Sequence, residues 1–173
     1  MDHLPLTIAI IVLVILSAFF SGTETAFSCA NKIKLKSMAA LGKKNAKAVS
    51  KLADEGYDKL VTAILVGNNI VNLTASALGT ILFSRLIADA NVAATVSTAV
   101  LTVVVLLFGE ITPKYFASVY PEKFCFFFYP LMQLFMWILY PICKIFDGYK
   151  ALTKKIFKLI LKVIVYTSQK IAL

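Results

Sequence analysis

The sequence predicts an all-α integral membrane protein with three transmembrane helices, a re-entrant helical hairpin and a C-terminal amphipathic belt helix. Three observations lead to this prediction. Hydrophobic residues occupy 60% of the 173 positions and charged residues only 16%, a balance that soluble domains do not have. Apolar stretches long enough to cross a bilayer alternate with lysine-rich segments. The net charge of +9 comes mainly from lysines flanking these stretches, which indicates membrane orientation and contact with anionic membrane lipid rather than nucleic acid.

The first span is predicted at about residues 4–28. Only Glu24 interrupts this apolar run, close to its inner end. A helix of this length crosses the hydrocarbon core of a bilayer. No basic segment precedes the run and no small-residue cleavage site follows it. We therefore expect a true span and not a cleaved signal peptide.

A cytoplasmic amphipathic loop is predicted at residues 30–59. Eight lysines face three acidic residues in this segment. Apolar residues recur at helical spacing, which predicts two short helices at the membrane surface, broken near Gly42. Because cytoplasmic loops carry an excess of lysine and arginine, this loop places the N-terminus outside the cell.

Two further spans are predicted at about residues 60–84 and 91–113, followed by an apolar stretch at 121–143 that contains Pro130 and Pro141. If this stretch also crossed the membrane, the lysine-rich tail would lie outside, against the positive-inside rule. We therefore predict a re-entrant hairpin, and a belt helix at 147–173 on the cytoplasmic face. The transmembrane domain would then cover residues 1–146. A four-span topology is the alternative.

Polar residues interrupt the apolar helices in three stretches: Ser21, Glu24 and Thr25; Asn68, Asn69, Asn72 and Ser76; and Glu110. An acid at mid-bilayer costs roughly 2.5–3.5 kcal/mol, so Glu110 needs compensation. Pro113 cannot donate a hydrogen bond to the carbonyl of Gly109, which leaves a backbone oxygen beside the carboxylate. Hydroxyl, amide, carbonyl and carboxylate oxygens suit hard cations such as Mg²⁺ or Na⁺. Without histidine or cysteine in the set, zinc, copper and iron are not expected.

Structural roles are open alternatives for the same residues. Asn68 and Asn72 could simply join helices by hydrogen bonds. Glu110 could reach water from a helix end, and Glu24 could cap its helix or pair with a lysine. Packing between helices is the favoured role for a further set of small and polar residues: Ser76, Gly79, Thr95, Thr98 and Thr102.

The three stretches resemble the transmembrane domain of the CNNM/CorC family of magnesium transport proteins. The similarity rests on FSGTETA at residues 20–26, GNNIVN at 67–72 and FGEITPK at 108–114, followed by Pro121-Glu122. Each motif is modest alone, but the three occur in the family's order on consecutive spans. The resemblance covers about residues 5–150.

The resemblance implies a homodimer that binds Mg²⁺ in a cytoplasm-facing cavity and, in some members, couples its export to Na⁺ entry. The implied Mg²⁺ ligands are Ser21, Asn68, Asn72, the Gly109 carbonyl and Glu110. A supporting role behind these ligands, or a role in a Na⁺ site, is assigned to five more residues: Glu24, Thr25, Asn69, Ser76 and Thr112. Helix breaks are expected at Gly22 and Pro113. The regulatory CBS domains of the family are not expected on this chain, which ends at Leu173.

These observations together predict Mg²⁺ transport across the plasma membrane by a multi-pass protein with a cytoplasmic C-terminus. No enzymatic activity is expected, because no nucleophile, base or catalytic metal set is recognisable. The alternative function is a membrane sensor that binds Mg²⁺ and regulates another transporter without moving ions itself. The direction and stoichiometry of transport, the coupling ion and the selectivity against Mn²⁺ or Co²⁺ stay open at this stage.

Overall fold

The computed structural model describes residues 3–171, and in its last helix the side chains at 151, 155 and 158–171 lie outside the description. About nine-tenths of residues 3–171 are helical, and these residues contain no strand. The helices are α1 Leu4–Cys29, α2 Lys32–Ala40, α3 Ala46–Asp54, α4 Tyr57–Ser84, α5 Ala90–Val104, a π-helix Val105–Ile111, α6 Thr112–Val119, α7 Pro121–Ile138 and α8 Tyr140–Ile171. The predicted fold class is confirmed.

Three segments are long and apolar enough to cross a membrane: Leu4–Cys29, Tyr57–Ser84 and Ala90–Val119. The third combines α5, the π-helix and α6, and it extends beyond the predicted end at residue 113. It does so because Pro113 lies in the first turn of α6, where a proline costs no intrahelical hydrogen bond of that helix.

The helix breaks expected at Gly22 and Pro113 take a different form. Helix α1 runs without interruption through Gly22, because one glycine costs only about 1 kcal/mol in a helix. The chain adapts to Pro113 with a π-helix, in which the Thr112 N–H donates to the carbonyl of Leu107, five residues back. The third span is therefore widened rather than broken.

Helix α1 lies at the centre of the bundle and contacts α4, the π-helix, α6 and α7. Helix α4 runs antiparallel to it, since Ser17 contacts Asn68 and Ser28 contacts Tyr57. Aromatic rings fill the space between α1 and α7. The ring centroid of Phe20 lies 5.1 Å from that of Phe19 and 5.0 Å from that of Phe135.

The lysine-rich segment forms two short helices, α2 and α3. The turn between them contains Gly42 and Asn45, whose φ angles are 71° and 62°, in the left-handed region that glycine and asparagine tolerate. Lys36 Nζ lies 2.7 Å from Asp54 Oδ2 and joins the two helices. The hydrogen bond and charge of Lys36 lower the pKa of the Asp54 carboxyl.

The apolar stretch after the third span forms a broken pair of helices. Helix α7 continues through Pro130 and ends at Ile138, and only Leu139 separates it from α8. The interruption therefore lies at Leu139 and not at Pro130. Together α7 and the first part of α8 are apolar enough for a broken span or a re-entrant segment. The re-entrant path of residues 121–143 stays a prediction.

Two compact units divide the chain, Met1–Leu139 and Tyr140–Leu173. The predicted belt helix at 147–173 falls in α8, and its last two residues lie outside the described part. Helix α8 exposes apolar side chains at helical spacing: Ile145, Tyr149, Leu152 and Ile156. An exposed apolar stripe of this kind is typical of a helix that lies in the membrane interface.

Gly67 tests the packing of α4 on α1. A Cβ atom at Gly67 would lie 2.5 Å from Cζ of Phe20, whose ring is held between two other rings. Gly67→Ala should destabilise the protein by about 1–3 kcal/mol, measured by thermal unfolding in detergent. Gly148→Ala is the control, because no heavy atom lies within 4 Å of a Cβ there. Equal melting temperatures for the two variants would contradict this account of the packing.

Candidate functional site

The three spans meet at Ser17, a residue that the sequence analysis did not single out. Its side chain is fully buried. Ser17 Oγ donates a hydrogen bond of 3.0 Å to Oδ1 of Asn68 on α4. On its other side, a Cβ atom built at Gly109 would lie only 2.9 Å from Ser17 Oγ. One buried hydroxyl therefore contacts both α4 and the π-helix.

A pattern in the sequence could have revealed Ser17. Ser17, Ser21 and Thr25 follow one another at intervals of four residues, which places three hydroxyls along one face of α1. The asparagine stripe of α4 has the same spacing. Ser17 belongs to the first stripe, but it lies outside the motif that carries the family resemblance.

Asn72 joins α4 to Glu110 on the π-helix. Asn72 Nδ2 lies 3.5 Å from Glu110 Oε1, at the outer limit for a hydrogen bond. Glu110 is half-buried. Within residues 3–171 it takes part in no ion pair with a lysine, arginine or histidine. A long hydrogen bond from one amide is thus the only hydrogen bond or ion pair that the described residues provide to this carboxylate.

Two side-chain oxygens, one on α1 and one on α4, are buried and have no hydrogen-bond partner among the described residues. They are Ser21 Oγ and Asn72 Oδ1. A buried polar atom without a partner costs about 1–3 kcal/mol, and in native structures such atoms call for an ion or a water molecule. Both atoms are oxygens, so both can face a cation.

The register of α1 against the third span places Ser21 at the level of this site. Ser17 approaches Gly109, and a Cβ atom at Gly22 would lie 3.6 Å from Cβ of Pro113. The two segments therefore run parallel. Ser21 lies between Ser17 and Gly22 in the sequence, on the stretch of α1 that packs against residues 109–113.

The π-helix determines how Gly109 and Glu110 are presented. Its wider turn shifts the residues at 105–111 relative to an ordinary α-helix, and such turns occur frequently at functional sites. Pro113 has no N–H and cannot be the α-helical donor to the Gly109 carbonyl. The predicted pairing of the Gly109 carbonyl oxygen with the Glu110 carboxylate stays a prediction.

The described residues contain no group of three or more histidine, cysteine, aspartate or glutamate side chains that could hold a metal ion. The site around Glu110 has one carboxylate, together with amide, hydroxyl and carbonyl oxygens. A donor set of this kind fits a hard cation that keeps part of its water shell.

Glu24 lies apart from this group and pairs with a lysine. Its Oε2 atom is 3.5 Å from Lys114 Nζ, and both side chains are a little over two-fifths exposed. This is the alternative that the sequence left open for Glu24. A pair this exposed contributes about 0–1 kcal/mol to stability, so its main effect is to connect α1 with α6.

Three other residues assigned to the surroundings of the ion are exposed: Asn69, Ser76 and Thr112. The Asn69 amide donates a 2.8 Å hydrogen bond to the carbonyl of Leu65 in its own helix. The structure does not bring these three side chains into contact with Glu110. Thr25 is half-buried, and its role at a Na⁺ site stays a prediction.

Comparison with known proteins identifies the family of this chain. The sequence model described as the cyclin M transmembrane N-terminal domain, CNNM, matches residues 8–170. The chain belongs to the CNNM family. This confirms the resemblance drawn from the three motifs. With its three candidate spans, this CNNM domain is a multi-pass membrane protein, and the orientation of its termini stays a prediction.

Similar proteins extend well beyond this domain. The UPF0053 inner membrane protein YfjD of Escherichia coli K12 is 50% identical over 108 residues, covering 62% of this chain and 24% of the relative. A UPF0053 protein of Haemophilus influenzae is 41% identical over 145 residues, covering 82% and 34%. A polyamine export protein of Escherichia coli K12 is 28% identical over 163 residues, covering 88% and 36%. The chain thus spans between a quarter and little more than a third of these relatives.

Gly109 and Gly22 form a matched pair for testing the site. Gly109→Ala would force a methyl group against Ser17 Oγ and push α1 away from the π-helix, whereas the neighbours of Gly22 leave ordinary van der Waals space. We expect Gly109→Ala to lower stability by about 1–3 kcal/mol and to weaken any ion-dependent stabilisation. Gly22→Ala should retain both, measured by thermal unfolding with and without divalent cations. A larger effect at Gly22 would show that the close approach at Ser17 is not the critical contact.

Proposed function

We propose that this CNNM domain transports Mg²⁺ across the membrane, with the ion bound between α1, α4 and the π-helix. One observation carries the proposal: Asn72, whose buried Oδ1 atom has no hydrogen-bond partner among the described residues, contacts the half-buried Glu110 carboxylate. A second buried oxygen without a partner among these residues, Ser21 Oγ, lies on the stretch of α1 that packs against residues 109–113. An arrangement with unfilled oxygen acceptors and one negative charge is stabilised when a cation enters it.

The donor set has the composition expected for Mg²⁺. Ser21, Asn72 and Glu110 each offer a side-chain oxygen, and Gly109 offers its carbonyl. Mg²⁺ requires six ligands in octahedral geometry and dehydrates reluctantly, so water molecules would complete the shell. A single carboxylate neutralises half of the ion's charge, which favours entry without binding so strong that it prevents release.

Asn68 and Asn72 have different parts in this proposal. The Oδ1 atom of Asn68 already accepts a hydrogen bond from Ser17, and its second lone pair is the one left for an ion. Asn72 directs its amide nitrogen to Glu110 and leaves its oxygen without a partner. It can therefore orient the carboxylate and bind the ion at once.

The resemblance and the family membership support two further parts of the proposal. The domain acts as a homodimer, and it exports Mg²⁺ from the cytoplasm in exchange for Na⁺. The lysine-rich face that carries α2 and α3 is the cytoplasmic one by the positive-inside rule. We propose no enzymatic reaction for this domain.

Polyamine export is a second candidate function. Relatives of that name align with 88% of this chain at 26–28% identity. A polyamine carries ammonium groups that could also pair with Glu110 and donate hydrogen bonds to amide oxygens. A third possibility is a Mg²⁺-binding sensor that regulates another transporter. Flux measurements separate the three.

Glu110 and Glu24 provide a matched test of transport, because both are glutamates on membrane helices. In proteoliposomes with a controlled Na⁺ gradient, Glu110→Gln should lower Mg²⁺ flux by at least about tenfold, since it removes the only carboxylate at the site. Glu24→Gln should retain most of the flux, because its partner is Lys114. Flux of spermidine in place of Mg²⁺ would favour polyamine export, and Mg²⁺ binding without flux would favour the sensor.

Alanine variants of Asn72 and Asn69 distinguish a role in ion binding from a role in helix packing. Mg²⁺ that binds the folded protein raises its melting temperature, and the stabilisation grows with the logarithm of the affinity. We expect Asn72→Ala to reduce this rise, by about 1.4 kcal/mol of stabilisation for each tenfold loss of affinity. Asn69→Ala removes an exposed amide bonded to its own helix and should leave the Mg²⁺-dependent rise unchanged. An unchanged rise in Asn72→Ala would return this residue to a packing role.

A further inference from the structure

A cavity separate from the ion site lies beside the turn between α6 and α7. We propose that this cavity, which we call the turn cavity, binds the head group of an anionic phospholipid of the surrounding leaflet. Its volume is about 840 Å³. Four lysines contribute to its lining: Lys34, Lys43, Lys44 and Lys123. Apart from Glu122, the remaining lining residues are apolar or aromatic: Met38, Val119, Tyr120, Phe126 and Phe127.

The lysines that line the turn cavity carry positive charge that is not fully neutralised. Glu122 is the one acid in the lining, so four lysines and one glutamate leave a net charge of +3. Lys34 Nζ lies 3.3 Å from Glu122 Oε2, and this pair accounts for one positive charge. Within residues 3–171, Lys43 and Lys44 take part in no ion pair. These two lysines remain available to a phosphate group.

The backbone holds Lys43 and Lys44 in place. Both lie in the turn between α2 and α3, flanked by Gly42 and Asn45 with their positive φ angles. The Lys43 N–H donates to the carbonyl of Met38, and the Lys43 carbonyl accepts from the N–H of Ala46. The turn is therefore a defined structure that presents two adjacent lysines at the cavity.

The apolar and aromatic residues of the cavity lining are suited to acyl chains. Helix α6 ends the third span at Val119, so the cavity lies where the chain leaves the membrane. Phe127 is 77% exposed, and the ring of Tyr120 lies 5.0 Å from Lys123 Nζ. Exposed aromatic rings beside lysines are typical of the membrane–water interface. Basic pockets on the cytoplasmic side of membrane helices bind anionic lipid head groups.

A phospholipid combines an anionic group with apolar chains, which matches the lysines and the apolar residues of the cavity lining. Its phosphate is anionic and its chains are apolar, and both parts meet at the depth where span three ends. A free phosphate ion would use only the lysines and would leave the exposed ring of Phe127 without a function. An acidic protein segment would likewise gain little from Phe127. We therefore commit to the lipid.

The test measures binding of phosphatidylglycerol to the purified protein by native mass spectrometry and by lipid titration in detergent. The double variant Lys43→Gln/Lys44→Gln should bind roughly 25-fold more weakly, about fivefold for each lysine removed near the surface. The control, Lys47→Gln/Lys59→Gln, removes the same charge from the same basic segment outside the turn cavity and should bind as the wild type does.

Phe127→Ala provides an independent arm. It should weaken binding of long-chain phosphatidylglycerol but not of a short-chain analogue that has the same head group. Both lysine variants should keep the wild-type melting temperature, because these lysines are exposed.

Four results would overturn the assignment to lipid. The control double variant could lose as much affinity as Lys43→Gln/Lys44→Gln, which would mean general attraction to the basic segment. Phosphatidylcholine could bind as tightly as phosphatidylglycerol. Inorganic phosphate could compete at equal concentration, which would assign the lysines to a free anion. A polyglutamate peptide could bind more tightly than the lipid and lose affinity in the double variant, which would assign the cavity to an acidic protein partner.

Discussion

The hydroxyl of Ser17 is the contact on which the arrangement of the three spans depends. Helices in a bilayer gain little from hydrophobic association, so small residues and buried hydrogen bonds determine where they meet. Ser17 donates to Asn68 and leaves room for the backbone of Gly109 at short range. Without this junction, the helices that carry Ser21 and Asn72 would not be held in register with the π-helix. The position of Glu110 follows from the close packing of the adjacent residue, Gly109, against Ser17.

The polar groups of the candidate site are less well satisfied than the apolar groups packed around them. Asn72 reaches Glu110 only at 3.5 Å, and two buried oxygens have no partner in the described structure. The rings of Phe19, Phe20 and Phe135 supply well-packed apolar contacts nearby. Such a local departure from ideal structure is expected at functional sites. Under the proposed function, a bound cation would neutralise the Glu110 carboxylate and give the two buried oxygens a partner.

Much of the fold, and part of the site, could be predicted from the sequence. Apolar length and lysine placement were sufficient for three spans, because both follow from the thickness and charge of the bilayer. Gly42 correctly marked the turn between α2 and α3. Ser17 was missed because a lone serine in a span has many structural uses, and its partner lies 51 positions away in the sequence. The π-helix was missed because a proline allows both a break and a widened turn, and only packing against α1 decides between them.

The lysine-rich end of the bundle is held by weaker contacts than its centre. At the centre, the contacts of Ser17 and Gly67 are buried and leave little space for movement. At the lysine-rich end, Lys114 pairs with Glu24, and both side chains are more than two-fifths exposed. An exposed pair contributes about 0–1 kcal/mol, so it can separate at small cost. Under the proposed function, the ion needs a path to the cytoplasm without loss of the central junction. A weak pair at the lysine-rich end and tight packing at Ser17 supply that combination, since α1 and α6 can part at one end while Ser17 keeps the helices in register.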